Sequence, residues 1–459
     1  MMQSSNTVVE GTVGNKITDL LIVDDVLPSS LSPFRTIEYR HYLYNFDAAL
    51  LSLEGWHNWE KGTTFEGKLD ELEFSENAKR RIFRFSESQH IAARLAYVTF
   101  LNNAYNLLPF FEQRNLPFIL QLYPGGGFEI GQVETDLKLR SVLLNRLCKG
   151  VITTQTISRD YITSEHIGFN ACKVHHIFGG VFDSNVPFDF CQDKLFYGGN
   201  KSTLDVCFVA YKYNNDLQSK GYDKFIEIAN LISSELDCVR FHVVGNYGPD
   251  DLPLKGIEGK ITFYGPQPAA FFRSFYSRMD AIVSVNRPFL SSSGAFDGFP
   301  TGSCLEAGFM GVANFISDPL NLNTQFRDGI DLVLVGDDVE VSARKILAYL
   351  RDPTALYKLA HGTYRAFRRI IDVDKQLMTR SQIIFRHLME DNVDLSTEVQ
   401  NDYLMMRSML QIRRQVEALT AELNDLRTQP KNVQELRLEV NHMGHTLRRL
   451  RSRRPLNRT

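Results

Sequence analysis

Long apolar runs are missing from this 459-residue chain; no stretch approaches the roughly 18 apolar residues of a membrane-spanning helix. A basic excess is missing too. The formal net charge of -3 excludes a nucleic-acid coat, so no nucleic-acid partner is expected. The six cysteines (Cys148, Cys172, Cys191, Cys207, Cys238, Cys304) are scattered without a C-x-x-C pair, which leaves free thiols of a reduced, cytoplasmic protein as the expectation. Metal-ligand spacing is also lacking. His175 and His176 adjoin in a strand-like run with no companion, and Asp372-Val-Asp374 falls among helical residues, so no metal is expected at either. Tryptophan occurs twice, at Trp56 and Trp59, where ordinary packing is expected rather than a stacking platform. Residues 1–18 are polar at their start and are expected to be disordered, not a leader peptide.

The apolar content of 43% is ample for more than one core. Its pattern alternates strand-like and helix-like segments, the mark of an α/β protein with parallel sheets. In residues 19–190 the strands are expected at Leu20–Val26, Leu116–Tyr123, Val151–Thr154 and Val174–Phe178, with helical patterns between. Residues 191–203 lie in a stretch rich in Asp, Asn, Pro and Gly and read as a linker. Alternation then restarts over 204–352, with strands at Leu204–Tyr211, Val239–Gly245, Ile261–Tyr264, Asp280–Asn286, Val312–Asp318 and Leu332–Val335. Two Rossmann-like, doubly wound domains facing across a cleft are the expectation, followed by a helical segment over 353–400.

Residues 401–459 carry a different pattern. Met409, Ile412, Val416, Leu419, Leu423 and Leu426 recur in steps of three and four, a coiled-coil seam that Pro430 interrupts. A second set, Val433, Leu436, Val440, Met443, Leu447 and Leu450, resumes out of register. A hairpin turning at 428–432 and a kinked helix that pairs with another copy through 405–450 both fit. The end is basic, with Arg448, Arg449, Arg451, Arg453, Arg454 and Arg458 and no acid among them; it reads as a solvated end or as a peripheral contact with anionic lipid at the inner face of a membrane.

The stretch with most chemistry is Gly294–Ala307, in which Asp297 and Glu306 stand on either side of a Gly/Pro-bent loop that opens a helix. Such a loop offers free backbone amides to an anion. Upstream, Lys212, Lys220 and Gly221 follow the strand ending at Tyr211, where a lysine can reach a diphosphate at a helix start. In order come Lys220-Gly221, Val243–Gly245, Ile261–Gly265 and the acidic loop. In the first domain, Tyr123-Pro-Gly-Gly-Gly-Phe128 follows a strand and Gly179–Asp183 precedes the linker.

That ordered set resembles the retaining glycosyltransferases of family four, which have the GT-B fold. In most of them the acidic loop has two Glu with seven residues between; here Asp297 and Glu306 have eight between. The resemblance implies a nucleotide diphosphate sugar as donor and transfer of a hexose, with retention and without a metal or other cofactor, to a glycan or lipid-linked acceptor in surface polysaccharide biosynthesis, and it makes the helices over 353–400 a brace that crosses back to the first domain. It assigns the donor diphosphate to Lys220, the ribose to Glu306 and the transferred sugar to Asp297. Backbone contacts would come from Gly298, Phe299, Pro300, Thr301, Gly302 and Ser303, base contacts from Gly265 to Gln267, and Tyr211 or Lys212 stands where the family commonly has an arginine. Acceptor-side candidates are Tyr123, Gly125, Gly126, Gly127, Glu129 and Arg35, the last read alternatively as a surface pair with Glu38. The other reading kept for the whole chain is an inactive glycosyltransferase-like scaffold working through its coiled coil.

Overall fold

A computed structural model describes residues 17–29, 32–58, 62–213 and 215–390. The coiled-coil seam, the Arg-rich end, Trp59 and residues 1–16 lie outside the described residues. Seven parallel strands make the first sheet: β1 (Ile17–Asp24), β2 (Ala48–Ser52), β3 (Ile82–Arg84), β4 (Ala92–Thr99), β5 (Phe118–Leu122), β6 (Cys148–Thr153) and β7 (Val174–His176). Their spatial order is β3-β2-β1-β4-β5-β6-β7. Six more make the second sheet: β8 (Leu204–Val209), β9 (Val239–Val244), β10 (Ile261–Phe263), β11 (Ala281–Ser284), β12 (Ala313–Ser317) and β13 (Val333–Val335), in the order β10-β9-β8-β11-β12-β13. The apolar runs of β5 and β12 are buried throughout because helices cover both faces of a parallel sheet.

Three strands escape the sequence pattern. β2 and β4 are rich in Ala and Leu, good helix formers, and β3 is only three residues long. Position decides instead: β4 pairs with β1 on one side and β5 on the other, so the ladder overrides local propensity.

Each sheet reverses its winding once, between β1 and β4 and between β8 and β11. Ligands of open α/β sheets bind outside the carboxyl ends of the strands at such a reversal. The segments leaving β8 and β11 are the ones that hold Lys220 and Asp297.

After the second sheet the chain crosses back to the first lobe. Helix Pro353–Ile370 starts with Asp352 accepting from the amides of Thr354 and Ala355, and buries Leu356, Leu359 and Ala360 in the second-lobe core. Helix Val373–Glu390 returns to the first lobe, where Ile383, Ile384, Phe385 and Leu388 share a core with Tyr42, Trp56 and Ile152. Asp372 accepts from the Lys375 amide at the start of that helix. Trp56 is fully buried in the same core, in keeping with a packing residue. His176 bonds the Thr153 hydroxyl within the sheet, and β7 is an edge strand.

Candidate functional site

Gly221 brings the first two parts of the site together. It is left-handed (φ 73°), and a Cβ there would lie 2.0 Å from the Val285 carbonyl oxygen, so only glycine lets the start of helix Tyr222–Glu235 press against the end of β11. Lys220 is thereby held beside Asn286 and the acidic loop. Its Nζ donates to both carboxylate oxygens of Asp297 at 2.7 Å, and Asn286 Nδ2 donates to Asp297 Oδ2 at 2.6 Å. The pair is accessible, with 19% of the Lys220 and 38% of the Asp297 side chain exposed. Lys220 also lies 5.7 Å from the ring centre of Tyr213.

Asp297, Gly298, Phe299 and Thr301 line a crevice together with Asn286, Ser317 and Asp318 from the ends of β11 and β12. At its rim helix Gly302–Phe309 begins at Thr301, which makes no side-chain cap. The first amides of that helix are thus open to an oxyanion, and the helix end carries partial positive charge. Glu306 sits one turn further on, partly buried. Burial pushes its carboxyl up to about 7, and no cation or hydrogen-bond donor offsets that cost among the described residues. No hydrogen bond or ion pair joins Glu306 to Lys220 among them either.

The first lobe closes over this loop. Gln155 Nε2 donates to the Phe299 carbonyl, and a Cβ on Gly298 would lie 3.1 Å from the same nitrogen. Further out, the Ile130 amide donates to the Gly294 carbonyl at 2.9 Å, Ser292 Oγ to Glu129 Oε1 at 2.5 Å, and Gln132 Nε2 to Ser293 Oγ at 2.9 Å. Phe128 and Phe296 meet edge to face beneath them. Gly294 is left-handed (φ 83°), with a Cβ position 2.2 Å from the Ile130 carbonyl oxygen. Replacing Gly294 by valine should therefore prise this latch open, read as a larger radius of gyration in solution scattering with the urea midpoint moved little; an unchanged radius would show that the latch does not set the lobe separation.

Several expected site residues do other work. Lys212 is locked in an ion pair with Asp251 (2.7 Å) and its amide bonds Asn246, so its charge is spent inside its own lobe. Gln267 turns its amide onto the Tyr264 carbonyl. Gly265 is left-handed with open space around its Cβ position, and its carbonyl accepts from the Gly245 amide at 3.1 Å. Tyr123 is 7% exposed and points its hydroxyl inward to Glu38 Oε2 at 3.4 Å, not toward an acceptor. Glu129 belongs to the latch. Gly126 and Gly127 are needed where the chain passes the Phe100 ring and the Asn102 amide, while Gly125 faces open space.

Arg35 is neither a free cation nor half of a surface pair. It is buried, with NH1 bonded to Asp24 at 2.8 Å and Asp25 at 2.6 Å, and its guanidinium lies 4.8 Å from the Phe100 ring centre. Glu38 is fully buried as well, accepting from Tyr42 (2.8 Å) and Tyr97 (2.5 Å), with Arg380 Nε 3.5 Å away. The aromatic side of the first lobe is completed by Phe34, packed on Tyr123 and Phe182 at 5.1 and 5.8 Å. Phe182 in turn touches the start of helix Gly302–Phe309, where a Cβ on Gly302 would lie 3.2 Å from its ring.

Asn286, Gln155 and Phe182 were not singled out in the sequence. Asn286 had a signal, its place at the carboxyl end of β11; the other two reach the loop only through the meeting of the lobes.

All six cysteines are free, with Cys148, Cys207 and Cys304 buried and Cys172 and Cys191 exposed. Among the described residues there is no cluster of His, Cys, Asp and Glu able to hold a metal, and no helix long and apolar enough to cross a membrane.

No family model matches the sequence, and no curated protein sequence matches it. Solved structures do match. A sucrose-phosphate synthase from Thermosynechococcus elongatus superposes with a TM-score of 0.61 at 12% identity, over 82% of this chain and 100% of that one. A glycosyltransferase from Rickettsia africae gives 0.58 at 12% identity, over 81% and 99%. HepE of Anabaena, in a crystal structure with UDP, gives 0.58 at 14% identity, over 80% and 99%. At such identities the likeness speaks for architecture alone: this chain has the GT-B fold, two Rossmann-like lobes around a cleft, as these glycosyltransferases do.

Proposed function

We propose that the chain transfers a hexose from a nucleotide diphosphate sugar to a hydroxyl of a glycan or lipid-linked acceptor, with retention of configuration, as a metal-independent member of glycosyltransferase family four. The observation that carries this reading is the convergence of Lys220, Asn286 and Asp297 beside the open helix start at Thr301–Ser303. HepE, with the same fold, has been crystallised with UDP and with UDP-glucose, which supports a donor of that class.

The chemistry asked of the site is modest. The bond from the sugar C1 to the phosphate oxygen breaks, the acceptor oxygen bonds C1, and the acceptor proton passes to the leaving phosphate oxygen. Charge gathers on the diphosphate as C1 gains oxocarbenium character, so a fixed cation and preoriented amides lower the barrier. Lys220 supplies the cation and the amides of Gly302 and Ser303 the dipoles. An arriving diphosphate competes with Asp297 for Lys220, which frees the carboxylate to turn toward the sugar hydroxyls. Placement of the acceptor supplies the rest.

Glu306 gives this reading a proton signature. Ribose hydroxyls that donate to it favour its carboxylate, so donor binding near pH 7 should release a proton and affinity should rise between pH 6 and 8. Calorimetry in buffers of different ionisation enthalpy measures the release, and none should remain in Glu306→Gln. The same carboxyl affects stability with the opposite trend. Its value in the fold, about 7, lies above the ordinary 4.5, so the folded chain binds more protons than the unfolded one in that window, and stability falls as pH rises through it.

A thermal-shift panel of nucleotide sugars tests the whole reading. A cognate donor at 100 times its Kd should stabilise the chain by about 2.7 kcal/mol, and nucleotide should be released in the presence of the acceptor. Stabilisation without release would favour the inactive scaffold; no stabilisation by any donor would refute the transferase reading.

A further inference from the structure

A second hollow, of about 550 Å³, lies on the second lobe between the connection from β12 to β13 and helix Pro353–Ile370. Its lining includes Arg327, Lys358, His361, Arg365 and Arg369, with Asp331 as the acid. Asp331 is already satisfied: its carboxylate accepts from Arg327 Nε at 3.0 Å, Arg327 NH2 at 2.9 Å and the Arg327 amide at 3.0 Å. Lys358, Arg365 and Arg369 have no carboxylate partner among the described residues.

The cations are gathered by geometry. Positions 358, 361, 365 and 369 recur in steps of three and four, so they share one face of the helix. Gly362 lies in the same lining, and a Cβ there would come within 2.2 Å of the Ile330 carbonyl oxygen. Only glycine allows the connection to lie so close, and that contact holds Arg327 beside the row. The ring of His361 lies 5.1 Å from Phe190; burial, and after it the charge of Arg365, makes this imidazole harder to protonate. Like charges lined up without counter-charge cost stability, and a bound oxyanion would remove that cost.

We propose that this hollow binds a multiply charged phosphate group, carried either by a small soluble molecule or by a lipid headgroup, with Lys358, Arg365 and Arg369 as the phosphate ligands. Three cations match a charge of two or more, and the space falls within the range of ordinary small-molecule sites. The inference stands apart from the donor reading, since no residue is shared between the two hollows.

The test uses the full chain and inorganic pyrophosphate, read at the His361 ring by NMR, a position that ligand in the Asp297 crevice would not perturb. The His361 signal, assigned by its loss in His361→Gln, should shift saturably, and Arg365→Gln/Arg369→Gln should weaken the apparent affinity by about tenfold or more. Both arginines are exposed, so the variant should keep its melting temperature. A parallel arm compares phosphatidylcholine vesicles containing phosphatidic acid, whose phosphomonoester can carry two charges, with vesicles of phosphatidylcholine alone. Variant-sensitive binding to the anionic vesicles without a response to pyrophosphate would identify the headgroup as source; a response to pyrophosphate identifies the soluble one. If the double variant matches the parent in both arms, or neither probe moves His361, the site does not exist.

Discussion

Lys220→Ala is expected to lower kcat/KM for nucleotide-sugar turnover by about 10³-fold, the usual scale for removing a group that meets developing charge. The loss should fall mainly on kcat, because the need for Lys220 is greatest when the diphosphate departs. Lys220→Arg should recover little, since the amine reaches both oxygens of Asp297 as a compact point charge that a planar guanidinium does not imitate. Asp297→Ala should be as severe, and for a separable reason: it frees Lys220 to bind nucleotide more tightly while leaving the sugar without its carboxylate. Nucleotide affinity that rises as turnover collapses would be the signature. A fully active Asp297→Ala, measured by nucleotide release, would sink the assignment. Lys212→Ala provides the contrast; with its amine held by Asp251, turnover should stay within about twofold, as for residues outside the reacting centre.

The second large effect concerns stability. Glu38 and Arg380 are both fully buried and come from opposite ends of the chain. Glu38→Ala should cost about 3–5 kcal/mol, because it leaves the buried Arg380 guanidinium without a counter-charge and strands the hydroxyl of Tyr42, while Tyr97 keeps its bond to Gln121. Glu38→Gln/Arg380→Met should recover much of that loss, since removing both charges also removes the penalty of hiding them. Urea unfolding of the parent, Glu38→Gln, Arg380→Met and the double variant completes the cycle. Strictly additive costs would show that the two side chains do not depend on each other.

Much of this was legible in sequence because it is local. Lys220-Gly221 and the loop from Asp297 to Glu306 each follow a strand directly, so the chain itself carries the spacing that puts them at the carboxyl edge of the second sheet. What failed depended on neighbours remote in the chain. Arg35 and Glu38 have the spacing of a surface helix pair, but helix Pro33–Asn45 lies against the end of β1, with Asp24 below and Arg380 arriving from the other end. Tyr123 follows its strand as an acceptor contact would, yet its hydroxyl is drawn inward by the same buried carboxylate. Gln155 gives no local sign, because its role exists only once the lobes meet.

The return of helix Val373–Glu390 to the first lobe has a consequence for synthesis. Residues 17–176 hold every strand of the first sheet, but Glu38 lacks its cation, and the core around Tyr42 and Trp56 lacks Ile383, Ile384, Phe385 and Leu388, until the ribosome has made some 200 further residues. The nascent N-terminal half must therefore wait, incompletely sealed, while the second lobe emerges. Any product that terminates before Arg380 should be a substrate for chaperones and proteases, not a smaller working protein.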